Sequence, residues 1–157
     1  MNRANAPRHA ARVIFLTYEP PVNGSHPVDT TLILVGKGVT YDTGGHDIKA
    51  GGIMAGMHRD KCGAAAVAGF FQTLNVLKPK GKHLIHIQLA NFVRVSFSGI
   101  RVFGALAMVR NSIGPDAYVA DELITSRAGV RVRIGNTDAE GRMAMVDILA
   151  YMKVRFV

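Results

Sequence analysis

A chain of 157 residues fits one domain of ordinary size, and 48% apolar residues with positive mean hydropathy suffice to build a core, which excludes a disordered chain. Nineteen Lys and Arg against eleven Asp and Glu give a formal +8, but the charges are scattered, and no aromatic residues interleave with the short basic pieces at Lys78 to Lys82 and Arg131 to Arg133. That argues against a single-strand stacking platform, so nucleic acid is not expected as a partner. The single Cys62 cannot close an intramolecular disulfide, and the first residues (MNRANAPRHAARV) lack an apolar signal core. No apolar run reaches the roughly 20 residues of a membrane-spanning helix. The expectation is a soluble, cytoplasmic protein with no membrane partner.

In chain order, Arg12 to Tyr18 (RVIFLTY) and Thr31 to Val35 (TLILV) are short, β-branched and apolar, and the turn-rich segment Pro20 to Gly24 separates them, so two buried strands are predicted. From Gly36 to Gly56 glycine recurs among polar residues, which reads as loop able to bring backbone close to a ligand. Lys61 to Leu77 (KCGAAAVAGFFQTLNVL) has apolar residues at helical spacing with small residues that permit close packing, and Lys78 to Gly81 ends that helix. Strands are predicted over Phe103 to Val109 and Val130 to Ile134, and a helix over Arg142 to Met152. The order β-β-loop-α-β-β-α gives an α/β domain.

Three segments carry candidate chemistry. In Val35 to Lys49 (VGKGVTYDTGGHDIK) a strand ends in a glycine-flanked Lys37, followed by Asp42, a Gly pair and Lys49. Alone this could be a glycine-rich turn with solvated lysines; the phosphate-loop pattern GxxxxGK[ST] is absent, and Asp42 would repel phosphate. Asn136 to Arg142 (NTDAEGR) lies between a predicted strand and a predicted helix, where Thr137 as N-cap with Glu140 three residues on fits a capping box. Asp60, in Met57 to Asp60 (MHRD), precedes a helix and alone reads as a cap. Together, however, the segments bring three Asp and one Glu beside lysines and glycines, and such a carboxylate cluster is expensive without cations. Carboxylates around two divalent ions form a recognised hydrolytic site.

The stretches VGKGVTYDTGG, Lys49, MHRDKCGAAAV and NTDAEGR resemble the signature segments of the leucyl (cytosol) aminopeptidase family, and the resemblance runs from Val13 to about Lys153. It implies a mixed central β-sheet flanked by helices, with this chain as part of the catalytic domain of a two-metal aminopeptidase. It further implies that Lys37 and Asp60 ligate one metal, Asp138 the other, and that Asp42 and Glu140 are shared. Lys49 and Arg142 are then the catalytic residues that do not ligate. Lys49 stabilises the oxyanion, and Arg142 holds a bicarbonate that acts as general base. Met57 lines the pocket for the first side chain, with Lys37, Asp42 and Asp60 also facing substrate. The implied cofactors are two ions of zinc or manganese, with magnesium also suited to oxygen ligands. The implied substrates are peptides with a free N-terminus, and the implied assembly of the full-length protein is a hexamer. The rival reading is a catalytically inactive fragment or relative that keeps metal binding.

The chain departs from the family pattern in several places. The family's N-terminal domain is absent, and the resemblance stops soon after NTDAEGR. Arg110 stands beside Asn111 where an acidic residue is usual, and Ser112 and Ile113 replace a common Met-Pro. The segment 82–99 has no counterpart in the family. Gly81 and Lys82 can be encoded with a splice-donor-like GTAAG and Phe97 to Gly99 with an acceptor-like TTTTCAG, so that excision preserves the reading frame. A translated intron and a real β-rich insertion are the two readings of this segment. For that reason His83 and His86 inside it are not nominated as ligands.

Overall fold

The computed structural model describes residues 9–19, 28, 30–78, 84–89, 91–96 and 99–156, with backbone only over 84–96. The loop Pro20 to Gly24, the helix stop at Pro79 to Gly81, His83, and the side chains of Ile85, His86 and Ile87 lie outside the described residues.

The strands are β1 (Arg12–Tyr18), β2 (Thr30–Asp42), β3 (Leu84–Leu89), β4 (Asn91–Ser96), β5 (Ile100–Asn111), β6 (Leu123–Thr125) and β7 (Arg131–Arg133). The helices are α1 (Cys62–Leu77) and α2 (Glu140–Phe156). The main sheet has the order β1-β5-β2; β1 is antiparallel to β5, and β2 is parallel to it. A parallel pair needs a crossover, and α1 lies within it.

Side chains alternate across this sheet, and each face takes one helix. Val102 and Leu106 of β5, with Leu32 and Leu34 of β2, pack with Ala64, Val67 and Leu74 of α1. Phe103, Ala105, Ala107 and Val109, with Ile33, Val35 and Val39, pack with Ala144, Ile148 and Met152 of α2. β5 is central and almost wholly buried, which is why it is a continuous apolar run rather than an alternating one.

β2 is longer than predicted, because Gly36 to Asp42 continue the strand instead of opening a loop. The glycines there serve close packing. A Cβ on Gly36 would lie 2.5 Å from the Gly63 carbonyl oxygen, and one on Gly63 would lie 2.8 Å from the Lys37 nitrogen. A glycine signal of this kind marks a strand touching a helix backbone as readily as it marks a loop. The loop proper begins after Asp42, where Gly44 and Gly45 take positive φ.

Other boundaries move too. α2 begins at Glu140 rather than Arg142 and runs on to Phe156, where the Phe156 ring stacks on Phe103 at 4.0 Å. α1 ends at Lys78, whose left-handed backbone donates its N–H to the Leu74 carbonyl. The predicted strand Val130 to Ile134 shortens to β7. Its partner β6, missed in the sequence, completes a hairpin through Leu123↔Arg133, Ile124↔Val132 and Thr125↔Arg131. With its alternate residues exposed, β6 has too little apolar pattern to announce itself.

Within 82–99, β3 and β4 form a separate antiparallel hairpin. It lies between α1 and β5 in the chain, which enters the main sheet after it at the Thr30↔Ile100 end. Asp42↔Asn111 closes the other end, about 35 Å away at strand rise.

Candidate metal centre

Four of the nominated carboxylates and both lysines meet where β2 and β5 end. Lys37 sits on β2 with its side chain on the α2 side of the sheet, beside the first turn of that helix. A Cβ on Gly141 would come 2.6 Å from Lys37 Cδ, so the glycine of the EGR triplet keeps open the path of this side chain. Lys37 Nζ lies 2.7 Å from Asp60 Oδ2 and 3.0 Å from Glu140 Oε1. Lys49 Nζ makes a second bridge, 2.6 Å from Asp138 Oδ1 and 3.2 Å from Asp42 Oδ2. Oxygens of Asp42, Asp138 and Glu140 lie within 4.8 Å of one another, and Asp60 joins them through Lys37.

The local structure differs from the capping roles that the single segments suggest. Asn136, not Thr137, caps the 3₁₀ turn Thr137–Ala139: its side-chain oxygen accepts the Asp138 N–H at 2.7 Å. Thr137, 1% exposed, donates its hydroxyl to the Gly44 carbonyl at 2.6 Å and accepts the Asp47 N–H at 2.8 Å. Asp60 caps nothing. Lys61 precedes α1 without a side-chain cap, which leaves the Asp60 carboxylate to Lys37.

Asn111 is the buried organiser of the strand ends. Its amide donates to Asp42 Oδ1 at 2.8 Å and to the Thr137 carbonyl at 3.2 Å, while its own carbonyl accepts the Thr43 N–H and hydroxyl. The sequence offers Asn111 only through the resemblance and Thr137 only as a cap, and it gives no signal for Asp47 or Tyr118. The signal available for Thr137 was its place inside NTDAEGR, which a cap reading absorbed.

The electrostatics follow from this crowding. For Asp42, burial raises the carboxyl pKa, but the Gly44 N–H, the Asn111 amide and Lys49 outweigh it and hold it below the usual value. For Glu140, 0% exposed, burial dominates and pushes the pKa up, with Asp42 adding repulsion and Lys37 opposing it only in part. Burial lowers the Lys37 ammonium, but Asp60 and Glu140 more than compensate and leave it raised. Lys49 is raised by Asp138 first, against burial, with Asp42 helping. Tyr118 is pushed up to about 12, mainly by burial, then by the charges of Glu140 and Asp42.

Buried Asp60 Oδ2, Asp138 Oδ1 and both Glu140 oxygens have no hydrogen-bond partner of acceptable geometry among the described residues. A lysine ammonium pairs with three of these oxygens, whereas Glu140 Oε2 has no lysine partner among the described residues. Buried carboxylate oxygens left in this state are costly, and a cation coordinated by several of them removes the cost. The donor set, four carboxylates with the Lys37 amine once it has lost its proton, therefore fits hard or borderline divalent ions.

The catalytic domain of the cytosol aminopeptidase family matches residues 1–93 and 86–156. This chain belongs to the cytosol aminopeptidase family. A Caenorhabditis elegans protein named "Putative aminopeptidase" is 48% identical over 145 residues, covering 92% of this chain and 24% of its own length. A cytosol aminopeptidase, named as probable, from Exiguobacterium sibiricum is 40% identical over 125 residues, 80% of this chain and 22% of its own. The structure of leucyl aminopeptidase from Trypanosoma brucei, in complex with actinonin, superposes with a TM-score of 0.73 at 31% identity, covering 94% of this chain and 24% of that one. The chain thus spans about a quarter of the length of the family members it matches. The mixed sheet flanked by helices expected from the resemblance is the fold observed.

Two nominated residues stand apart from the lysine–carboxylate cluster. Arg142 is exposed in the first turn of α2, with no ion pair or hydrogen bond among the described residues. Met57 is half-buried on the 3₁₀ turn Met57–Arg59, three residues before Asp60.

Proposed function

We propose that this chain forms the metal-holding part of a two-metal aminopeptidase that removes the first residue from peptides with a free N-terminus. The observation that carries this reading is the convergence of Lys37, Asp42, Asp60, Asp138 and Glu140, with the Glu140 carboxylate fully buried and under-bonded. Lys37 and Asp60 would hold one ion and Asp138 the other, with Asp42 and Glu140 shared. Zinc, manganese or magnesium bound there supplies a Lewis acid for the scissile carbonyl and water acidic enough to act near neutral pH.

The chain's own residues divide the remaining work. Asn111 and the Gly44 N–H keep Asp42 ionised and aimed into the site. Lys49 places an ammonium among the carboxylates, where it can meet the oxyanion of an attacked carbonyl. Lys37 must give up its proton to serve as a ligand, although Asp60 and Glu140 hold it there. Arg142 offers an exposed guanidinium for bicarbonate, the general base in this reading. Met57 lines the pocket for the first side chain, with Lys37, Asp42 and Asp60 also facing substrate. A cytoplasmic location and a hexamer of the full-length protein belong to the same proposal.

A second reading has one observation in its favour. Because the chain spans only 24% of the length of the Caenorhabditis elegans and Trypanosoma brucei proteins, it can keep the metal centre without turnover. We also propose that residues 1–157 are part of a catalytic domain in which 82–99, as insertion or translated intron, is separate from the site.

One experiment addresses both readings: metal uptake by this chain, and hydrolysis of a leucyl anilide by the chain alone and joined to the remainder of a family member. Asp138→Ala should lose metal and activity together. Lys49→Ala should keep metal while turnover falls about 10² to 10³, because an oxyanion donor acts on the transition state. Equal activity in the parent and Asp138→Ala would sink the site. Metal uptake without hydrolysis in the joined form would leave the non-catalytic reading standing.

A further inference from the structure

Two side chains leave the loop between Thr43 and Lys49 to grip neighbouring segments. His46 Nδ1 lies 3.1 Å from the Tyr118 carbonyl oxygen. Asp47 engages Thr137 twice: its Oδ2 accepts the Thr137 N–H at 2.6 Å, and its own N–H donates to Thr137 Oγ1 at 2.8 Å. The Thr137 hydroxyl gives its single proton to the Gly44 carbonyl at 2.6 Å, so it is free to accept from Asp47. Loop and turn are therefore latched by three short bonds, one of them charge-assisted.

The latch lies next to the groups that matter for chemistry. Asp138 follows Thr137 directly, and Lys49 is two residues beyond Asp47 in a loop otherwise closed by the Lys49 N–H on the Thr43 carbonyl. The two meet at 2.6 Å between Lys49 Nζ and Asp138 Oδ1. We infer that Asp47 is a positioning residue which, through its bond to the Thr137 amide, sets the spacing between Lys49 and Asp138. This rests on the metal-centre reading above and extends it to a residue outside the ligand set. Groups that hold metal ligands from behind typically govern affinity or activity by about 10- to 100-fold. Asp47 is itself exposed, so removing its side chain leaves no cavity in the core.

The test uses this chain as parent, Asp47→Ala and Asp47→Asn. Manganese is titrated calorimetrically, and Thr137 amide exchange is followed by NMR in the metal-free protein. Asp47→Ala should weaken manganese binding at least about tenfold and speed exchange at Thr137, while Asp47→Asn, which keeps an acceptor oxygen, should stay within about threefold of the parent. A role confined to stability would lower the unfolding midpoint and leave the affinity of the folded chain unchanged, which would overturn the inference. Equal losses in Asp47→Ala and Asp47→Asn would overturn it as well, since charge rather than the bond would then be responsible. A parent that takes up neither manganese nor zinc would instead refute the metal centre, and unchanged Thr137 exchange in Asp47→Ala would refute the latch itself.

Discussion

Glu140 shows what the cleft costs one residue. Burial and the neighbouring Asp42 charge raise its carboxyl pKa, so at neutral pH its ionised form is less at ease folded than unfolded. For a carboxyl raised in this way the stabilising contribution is present below the unfolded value of 4.5 and is lost as pH rises through the folded value. Glu140→Gln should therefore raise the unfolding midpoint of the metal-free chain at pH 7 while weakening its metal uptake, a trade that thermal melts with and without manganese would reveal. Tyr118 has the same sign at higher pH. Its phenol is raised from 10.0 to about 12, so it stabilises the fold below pH 10 and that contribution disappears as pH rises through about 12. Across that window the parent should lose stability faster than Tyr118→Phe, as measured by denaturant unfolding at a series of alkaline pH values.

Elements bring a different kind of constraint, in which backbone approach decides what a side chain is allowed to be. Gly36→Ala would drive a Cβ against the backbone of Gly63 and Ala64, where no flexible atom can yield. Overpacking of this kind costs about 1–3 kcal/mol, and the upper end is expected here, read as a lowered denaturant midpoint. Leu74→Ala on α1, at a site 1% exposed, should cost about 2–5 kcal/mol by opening a cavity. The same distinction explains what the sequence disclosed. The bounds of β1 were legible to the residue because six of its seven residues are β-branched, apolar or aromatic, but the burial expected of it fails: it is an edge strand, and Val13, Ile14 and Phe15 are exposed. α1 was legible through its apolar spacing. The far half of β2 was not, since glycines chosen for helix contact look like loop glycines. The site residues were readable as a set because their spacing within each segment is distinctive. Asp47 and Thr137 were not, because a hydrogen bond spanning 90 positions leaves no periodicity behind.

At the scale of the whole molecule, the chain passes from the β3–β4 hairpin into β5 at Ile100, whereas the carboxylate cluster lies at the Asp42↔Asn111 end of the parallel pair. Removing residues 82–98 should leave manganese affinity within about twofold, since the strand ends where the segment joins β5 lie on the order of 35 Å from the carboxylates, several Debye lengths of about 10 Å, and charges so far apart are screened. A tenfold loss by calorimetry would place the hairpin in the workings of the site. Sequencing of transcripts across codons 81 to 99 separates the remaining readings: continuous coding with no shorter form would mean that the insertion is real protein. The parallel run of β2 and β5 gives the domain two poles. Both strands deliver their last residues to one pole, where the Asn111 amide donates to Asp42 Oδ1 at 2.8 Å. The other pole merely receives the returning chain and asks nothing of its length. Additions or losses of sequence there leave the register of β2 on β5 free to hold the carboxylates at the opposite pole.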